Sequence, residues 1–487
     1  MTKTIALLAT AGALLSATIG GAQGVERSKP AVATNQEMFG WASEIVEITK
    51  EHSEFRRMGT KGDSATRQYI VEKLGSFGIE SVEEQGYKLE YRHYKKWQLS
   101  IDGEELPCYF MRGAGFTENE GIRGELIFVG ETIDPEADYS GKIVVFEMRG
   151  QAIPGAAAGA IADFVYDPNE TLAKGTFGGK AGPIPSNFPV SYYQASDAGA
   201  LGMIAILKDY DTGTDRFYSD PSAMVQTRIP GLLIGKYVGE ELVERIQSSS
   251  TPIQATVMVE GRKRKSKSAN IVATLPGQKA DTIIINTHHD SGWIGGVQDA
   301  SGISAVLGLA KYFAKIPENF RQKTLIFVFD GSHYDWNYPM GANLFAEANP
   351  EVMENTVLAI GIEHIAKKFR AERDGYVDTG EIEPRILFTP PNQLIFEATK
   401  RAIVEHDLHD VVIPKAGALT MFGETQGFFL RGIPSFSYIS GPEYLFLADD
   451  TLDKIAKEEF EPVVRTFISI IDSVMYLPGS WIKRIDR

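Results

Sequence analysis

The stretch Ile283–Gly302, IIINTHHDSGWIGGVQDASG, decides the fold. Its apolar opening reads with Thr282 as a buried parallel strand, and side chains two apart on a strand share a face. His288 and Asp290 are therefore directed into one pocket, while His289 points the other way. A Gly-rich turn leads to Asp299, then Ala300, Ser301, Gly302 and a pattern from Ile303 to Phe313 in which Val306, Leu307, Ala310 and Phe313 recur at helical spacing. A carboxylate just ahead of that helix sits where the dipole favours its charged form. A His-x-Asp at a strand end, with a second acid before a helix, is the layout of a metal site.

Working outward, the spacing predicts a helix over Ala65 to Phe77, strands over Thr282 to Thr287, Thr324 to Phe329 and Val357 to Ile362, and a terminal helix around Phe460 to Met475. This alternation makes one α/β unit, a mixed and mostly parallel sheet sandwiched by helices. Ligands of such sheets collect outside the carboxyl ends of the strands. Those ends carry His288 and Asp290, then Asp330, Ser332 and His333, then Glu363 and His364. Four of the eight histidines fall between positions 288 and 364, which scattered core histidines do not do.

Between Trp97 and Gly261 the character changes. Short β-like runs such as GELIFVG and GKIVVFEMRG alternate with Gly and Pro turns, and no histidine occurs. Residues 97–261 read as an inserted β-rich domain, leaving 25–96 and 262–487 as the domain that carries the site. Residues 1–24 have Lys3, an apolar run from Ile5 to Ile19 and a small-residue stretch, the layout of a cleavable secretory signal. The expected location is periplasmic or secreted, with no stable membrane insertion after cleavage.

The chain has 487 residues, 43% of them hydrophobic, enough for more than one core. Its single cysteine, Cys108, excludes an internal disulfide and a Cys-rich zinc site, so a metal must be held by histidine and carboxylate. A net charge of -15 argues against nucleic acid as a partner. The one basic run, Arg262 to Lys265, reads as a solvated linker.

These residues resemble the zinc exopeptidase family that includes bacterial secreted aminopeptidases, glutamate carboxypeptidase, the transferrin receptor ectodomain and glutaminyl cyclases. The likeness runs from Arg57-Met58-Gly59-Thr60 through Ser268 to Gly277, His288-x-Asp290, Asp299 to Gly302 and Gly432-Ile433-Pro434, to Asp450-Thr451-Leu452-Asp453. Gly141 to Val145, Gly199 to Ile204 and Ile229 to Gly235 look like a protease-associated domain. The resemblance implies an aminopeptidase-like fold and, in most members, two zinc ions bridged by one Asp.

Carried over by position, the resemblance makes His288 a metal ligand, Asp299 the bridging acid, and Glu363 the remaining ligand of the first site, where the family usually has Asp. The second site departs from the pattern. Asp330-Gly331-Ser332-His333-Tyr334 stands where the family has a Glu-Glu pair, and Phe446 where it has its last histidine ligand. The expectation is one zinc ion on His288, Asp299 and Glu363 with a fourth position open, although manganese, cobalt or iron also suits such a set.

Asp290 orients His288 and is grouped with His333 as the catalytic pair. His333 occupies the position of the family's base, and base, extra ligand and structural histidine all stand open for it. Asp335 could take one acidic role, and His364 could add a ligand. Glu424, near the family's substrate-contact segment, and Tyr334 are the substrate-binding candidates; Glu424 reads equally as a surface-loop acid. Trp293 either lines the pocket or packs beneath the turn, Tyr438 lies near the contact loop, and His406 and His409 read as solvated.

The function implied is an exported metal-dependent hydrolase of peptide or other amide bonds, acting on a peptide or N-acyl amide. Two alternatives stand beside it: a non-catalytic binding protein on a degenerate peptidase fold, and a glutaminyl-cyclase-like acyltransferase. The insert is a candidate surface for a homo-dimer.

Overall fold

The run Ile283–Ile285 becomes the centre of a 15-stranded sheet. In a computed structural model, residues 29–487 are described apart from 54, 173–174, 178, 183–184, 219–224, 332 and 334–340. The leader expected over 1–24, and the candidates Tyr334 and Asp335, lie outside the described residues. Lys279–His288 pairs in parallel with Lys323–Asp330 on one side and Thr356–Ile362 on the other. Ser435–Ser440 continues the parallel set, Arg385–Phe388 runs antiparallel to it, and Val411–Pro414 is parallel to that strand.

Alternate residues of the central strands enter different cores, as a sheet covered on both faces requires. Ile283, Ile285, Leu325, Phe327 and Phe329 pack into the large core with the helices Asn35–Glu51, Gly302–Ala314 and Phe460–Met475. Ile284, Ile326, Val328 and Ala359 turn to the other face, against Phe345 and Phe428. Each such buried side chain contributes about 1.5–3 kcal/mol. The strand ends are thereby fixed on a frame that solvent does not soften, and the mixed, mostly parallel sheet between helices matches the expectation from sequence.

A long antiparallel ribbon, Ser81–Ile101 against Gln254–Leu275, leads away from the site strands, with a register shift between Tyr94 and Lys96. Beyond the shift, Ile122–Phe128 pairs with the ribbon, and Lys142–Met148, Gly202–Leu207 and Gly231–Gly235 add in parallel. The basic run Arg262 to Lys265 is not a linker: it lies inside the ribbon, opposite Glu90 to His93. Ala162–Tyr166 returns to pair with Val411–Pro414 at the far edge of the sheet. No helix of the described residues is long and apolar enough to cross a membrane.

Candidate metal centre

His288 ends its strand level with Asp330, and Asn286 is level with Gly361, so His288 and Glu363 leave the sheet together. The next residue, His364, has φ 58, a left-handed conformation that turns its ring back toward the strand ends. One ligand atom each from His288, Glu363 and His364 lies within 4.8 Å of the others, all three residues buried. His364 Nε2 stands 3.9 Å from a Glu363 carboxylate oxygen and has no hydrogen-bond partner. Two tetrahedral ligands each about 2.1 Å from zinc lie about 3.4 Å apart, so a small contraction would bring this group onto one ion.

Local bonds set the chemistry of each donor. His288 Nδ1 donates to the Asp290 carbonyl at 2.9 Å, and His364 Nδ1 donates to the Ser440 carbonyl at 2.7 Å. Each imidazole therefore carries its proton on Nδ1 and keeps the Nε2 lone pair for a metal. Burial holds both rings well below the usual histidine range, with His333 adding to the effect at His288 and His288 adding to it at His364. Neutral imidazole is the ligating form. Glu363 is oriented by the Glu424 amide, which donates to Oε1 at 2.7 Å.

Asp299 is beside this group with both oxygens engaged. Thr287 Oγ1 donates to Oδ2, and the amides of Gly302 and His364 donate to Oδ1 at 3.0 and 3.2 Å. Burial, then the charge of Glu363, push Asp299 well above the usual carboxylate range. The helix dipole expected to favour the charged form is outweighed. A cation at the cluster would act against that balance.

A second set of groups abuts the first. The His333 ring stacks on His288 with centroids 4.1 Å apart and planes at 7°. His333 Nδ1 bonds Glu424 Oε1, Gln298 Nε2 lies 3.2 Å from His333 Nε2, and the His333 amide donates to Asp290 Oδ1 at 3.3 Å. Asp290 thus supports both histidines, through its carbonyl and its carboxylate. Burial and the adjacent Glu424 push Asp330 well up, while Glu424, despite burial, is drawn below its ordinary range by His333. Like charges in one buried site make ionisation harder for Asp330 than for Glu424. Asn286 Nδ2 donates to Asp330 at 3.2 Å. Glu424 is thus a wholly buried acid rather than one on a surface loop.

Two residues with no assigned role in the sequence hold the turn between His288 and Asp299. Arg56, fully buried, donates to the carbonyls of His289, Ile294, Gly295 and Gln298. Asp450 accepts from the amides of Val297 and Gln298 at 2.8 and 2.9 Å. Arg56 adjoins the R-x-G-T segment, and Asp450 opens the Asp-Thr segment, so the motifs marked the neighbourhood but not the function of either. Trp293 packs: its Nε1 donates to the Phe446 carbonyl at 3.1 Å, and its ring meets those of Tyr109 and Tyr218. Phe446 is buried.

Tyr438 faces away from the cluster, toward Phe467 and Arg385. His289 also turns away, with Nε2 on the Ala269 carbonyl. His406 bonds Ser469, and His409 is engaged by Asp410 and Glu459, so neither is simply solvated.

A buried His-carboxylate cluster at the carboxyl ends of parallel strands defines a metallohydrolase-type site on an α/β fold. Residues 270–377, which hold every residue of the three-membered cluster, match Peptidase family M28. The recognition drawn from His288-x-Asp290 and Asp299 to Gly302 therefore stands. Among curated proteins no sequence matches the chain.

Among solved structures, a zinc aminopeptidase from Bacillus subtilis is 15% identical with a TM-score of 0.65, covering 93% of this chain and 98% of that one. A Peptidase M28 precursor from Shewanella amazonensis is 16% identical with a TM-score of 0.66, over 91% and 94%. An aminopeptidase from an Aneurinibacillus species is 19% identical with a TM-score of 0.57, over 90% and 93%. At these identities the likeness establishes the shared fold.

Proposed function

We propose that the chain is an exported, metal-dependent hydrolase of peptide or other amide bonds, with one divalent ion of the zinc class held by His288, Glu363 and His364. The observation that carries this reading is the convergence of two neutral imidazoles and a carboxylate within 4.8 Å, each imidazole fixed through Nδ1 to a backbone carbonyl. Asp299, at the edge of this group, is the fourth candidate donor. The leader over 1–24 and a separable domain over 97–261 belong to the same reading.

When bound, the ion supplies Lewis acidity toward the scissile carbonyl. The rest falls to the chain. His333 Nε2 takes up a proton from the attacking group, and Glu424, bonded to Nδ1, stabilises the imidazolium that results. Gln298 Nε2, 3.2 Å from His333 Nε2, marks where a substrate or water hydrogen would lie. The acids around the pocket are already bonded to Thr287, His333 and backbone amides, which supports N-acyl amides over substrates with a free amine.

Elemental analysis of the zinc-dialysed protein tests the site. One ion per chain, lost in His288→Ala and in His364→Ala, is the expected result. Retention in His364→Ala with loss in Asp299→Ala would return the ligand set to His288, Asp299 and Glu363. No ion in any form would leave a binding protein on a peptidase fold.

A further inference from the structure

Arg262 and Arg264 stand two apart on a ribbon strand, so both leave the same face, with His93 directly across from Arg262 and Tyr91 across from Arg264. With His93, Lys95, Glu260 and Gly261 they line a pocket of about 350 Å³. Lys263 between them leaves by the opposite face and pairs with Glu90 at 3.2 Å. The single acid of the pocket, Glu260, is held by Lys95 at 2.5 Å.

Arg57 lies outside the lining of this pocket, although its charge reaches His93. Its guanidinium lies 4.2 Å above the Phe55 ring and donates to Tyr218 Oη at 3.1 Å. Burial, then the charges of Arg264, Arg57 and Arg262 in that order, hold His93 below its usual range. The Nε atoms of Arg57 and Arg264 are buried with no hydrogen-bond partner. A merely solvated basic face keeps such donors in water. Here Arg262 and Arg264 converge on a concavity whose one lining acid, Glu260, is engaged by Lys95, and guanidinium forks suit planar and tetrahedral oxyanions.

We propose that this pocket binds an oxyanion, the carboxylate or phosphate group of a small ligand, through Arg262 and Arg264 with His93 beside them. The site is distinct from the metal cluster; Arg57, whose charge reaches His93, meets the cluster's loop through Tyr218. Tyr218, which accepts the Arg57 bond, packs so closely on Gly292 that an added Cβ would lie 2.5 Å from its ring.

Isothermal titration calorimetry of the full chain with inorganic phosphate and with succinate tests this. Saturable binding of at least one anion is expected, weakened about tenfold or more by Arg262→Gln and by Arg264→Gln, the scale of one charge-assisted bond. Lys263→Gln, which removes the same charge from the other face, should leave affinity unchanged, as should His364→Ala in the metal cluster. The preferred anion tells phosphate from carboxylate as the source. Arg262 is exposed, so its variant keeps the fold and decides the matter alone if Arg264→Gln does not. Absence of binding by both anions, wild-type affinity in Arg262→Gln, or an equal loss in Lys263→Gln would overturn the proposal.

Discussion

Gly423 adopts φ +90, and a Cβ there would lie 2.6 Å from Glu363 Oε1 and 2.9 Å from Ser437 Oγ. No other residue allows the next amide, that of Glu424, to reach Glu363 at 2.7 Å. Gly423→Ala should therefore lower stability by about 1–3 kcal/mol and displace a proposed ligand. Urea unfolding and zinc titration check this, and undiminished zinc affinity would contradict the role given to Glu363. Glu424 lends itself to a cleaner substitution. Glu424→Gln keeps the shape of the group that bonds His333 but removes its charge, so kcat should fall about 100-fold with little change in KM, the range for general acid–base support. A fall confined to KM would make Glu424 a substrate-binding group instead.

At the scale of elements, the turn from His289 to Gly295 has no regular structure to satisfy its carbonyls, and Arg56 bonds three of them from outside, together with the Gln298 carbonyl in the π-helical turn Gly296–Ser301 that follows. Arg56→Met leaves several buried carbonyls unpaired at about 1–3 kcal/mol each, so a stability loss of about 3 kcal/mol or more is expected from urea unfolding. A loss under 1 kcal/mol would mean that Asp450 alone holds the turn.

The far edge of the sheet carries a different device. His409 faces Asp410 at 3.1 Å and Glu459 at 3.6 Å, and Arg385 and Thr171 join the same acids. Bonds to Asp410 and then Glu459 raise His409 to about 9. Because the folded value lies above the ordinary 6.5, the stabilisation is whole below about pH 6.5 and fades as pH rises through about 9. The group is only half-buried, so screening reduces the contribution to about 1 kcal/mol. Thermal midpoints of wild type and His409→Gln should differ at pH 6 and converge by pH 10; a constant difference would refute the assignment.

For the molecule as a whole, what could be read in advance followed from periodicity. Ile283 to Ile285, Thr324 to Phe329 and Phe460 to Met475 are apolar at the spacing of a strand or helix, and they form those elements. Polar residues at the strand ends followed from topology. What could not be read was pairing over long separation. Nothing local to Arg262–Lys265 shows that residues 90–93 lie opposite, nor that Arg56 reaches carbonyls more than 200 positions on. His364 was legible only as an alternative, because its recruitment depends on one left-handed backbone angle.

The same long separations give the metal a structural consequence. His288 comes from one strand end, and Glu363 and His364 from another, so an ion held by all three would cross-link elements that the unfolded chain does not bring together. Ligand bound only to the folded state stabilises it by about 4 kcal/mol at 1,000 times Kd. Chelator-stripped protein should therefore regain a higher thermal midpoint when zinc is added, and the gain should grow with zinc concentration. His364→Ala should lose most of that zinc-dependent gain, and its stripped form should be less stable than stripped wild type by about 1–3 kcal/mol, the cost of the lost bond to the Ser440 carbonyl. An equal zinc-dependent rise in His364→Ala would place the ion elsewhere and return Asp299 to the ligand set.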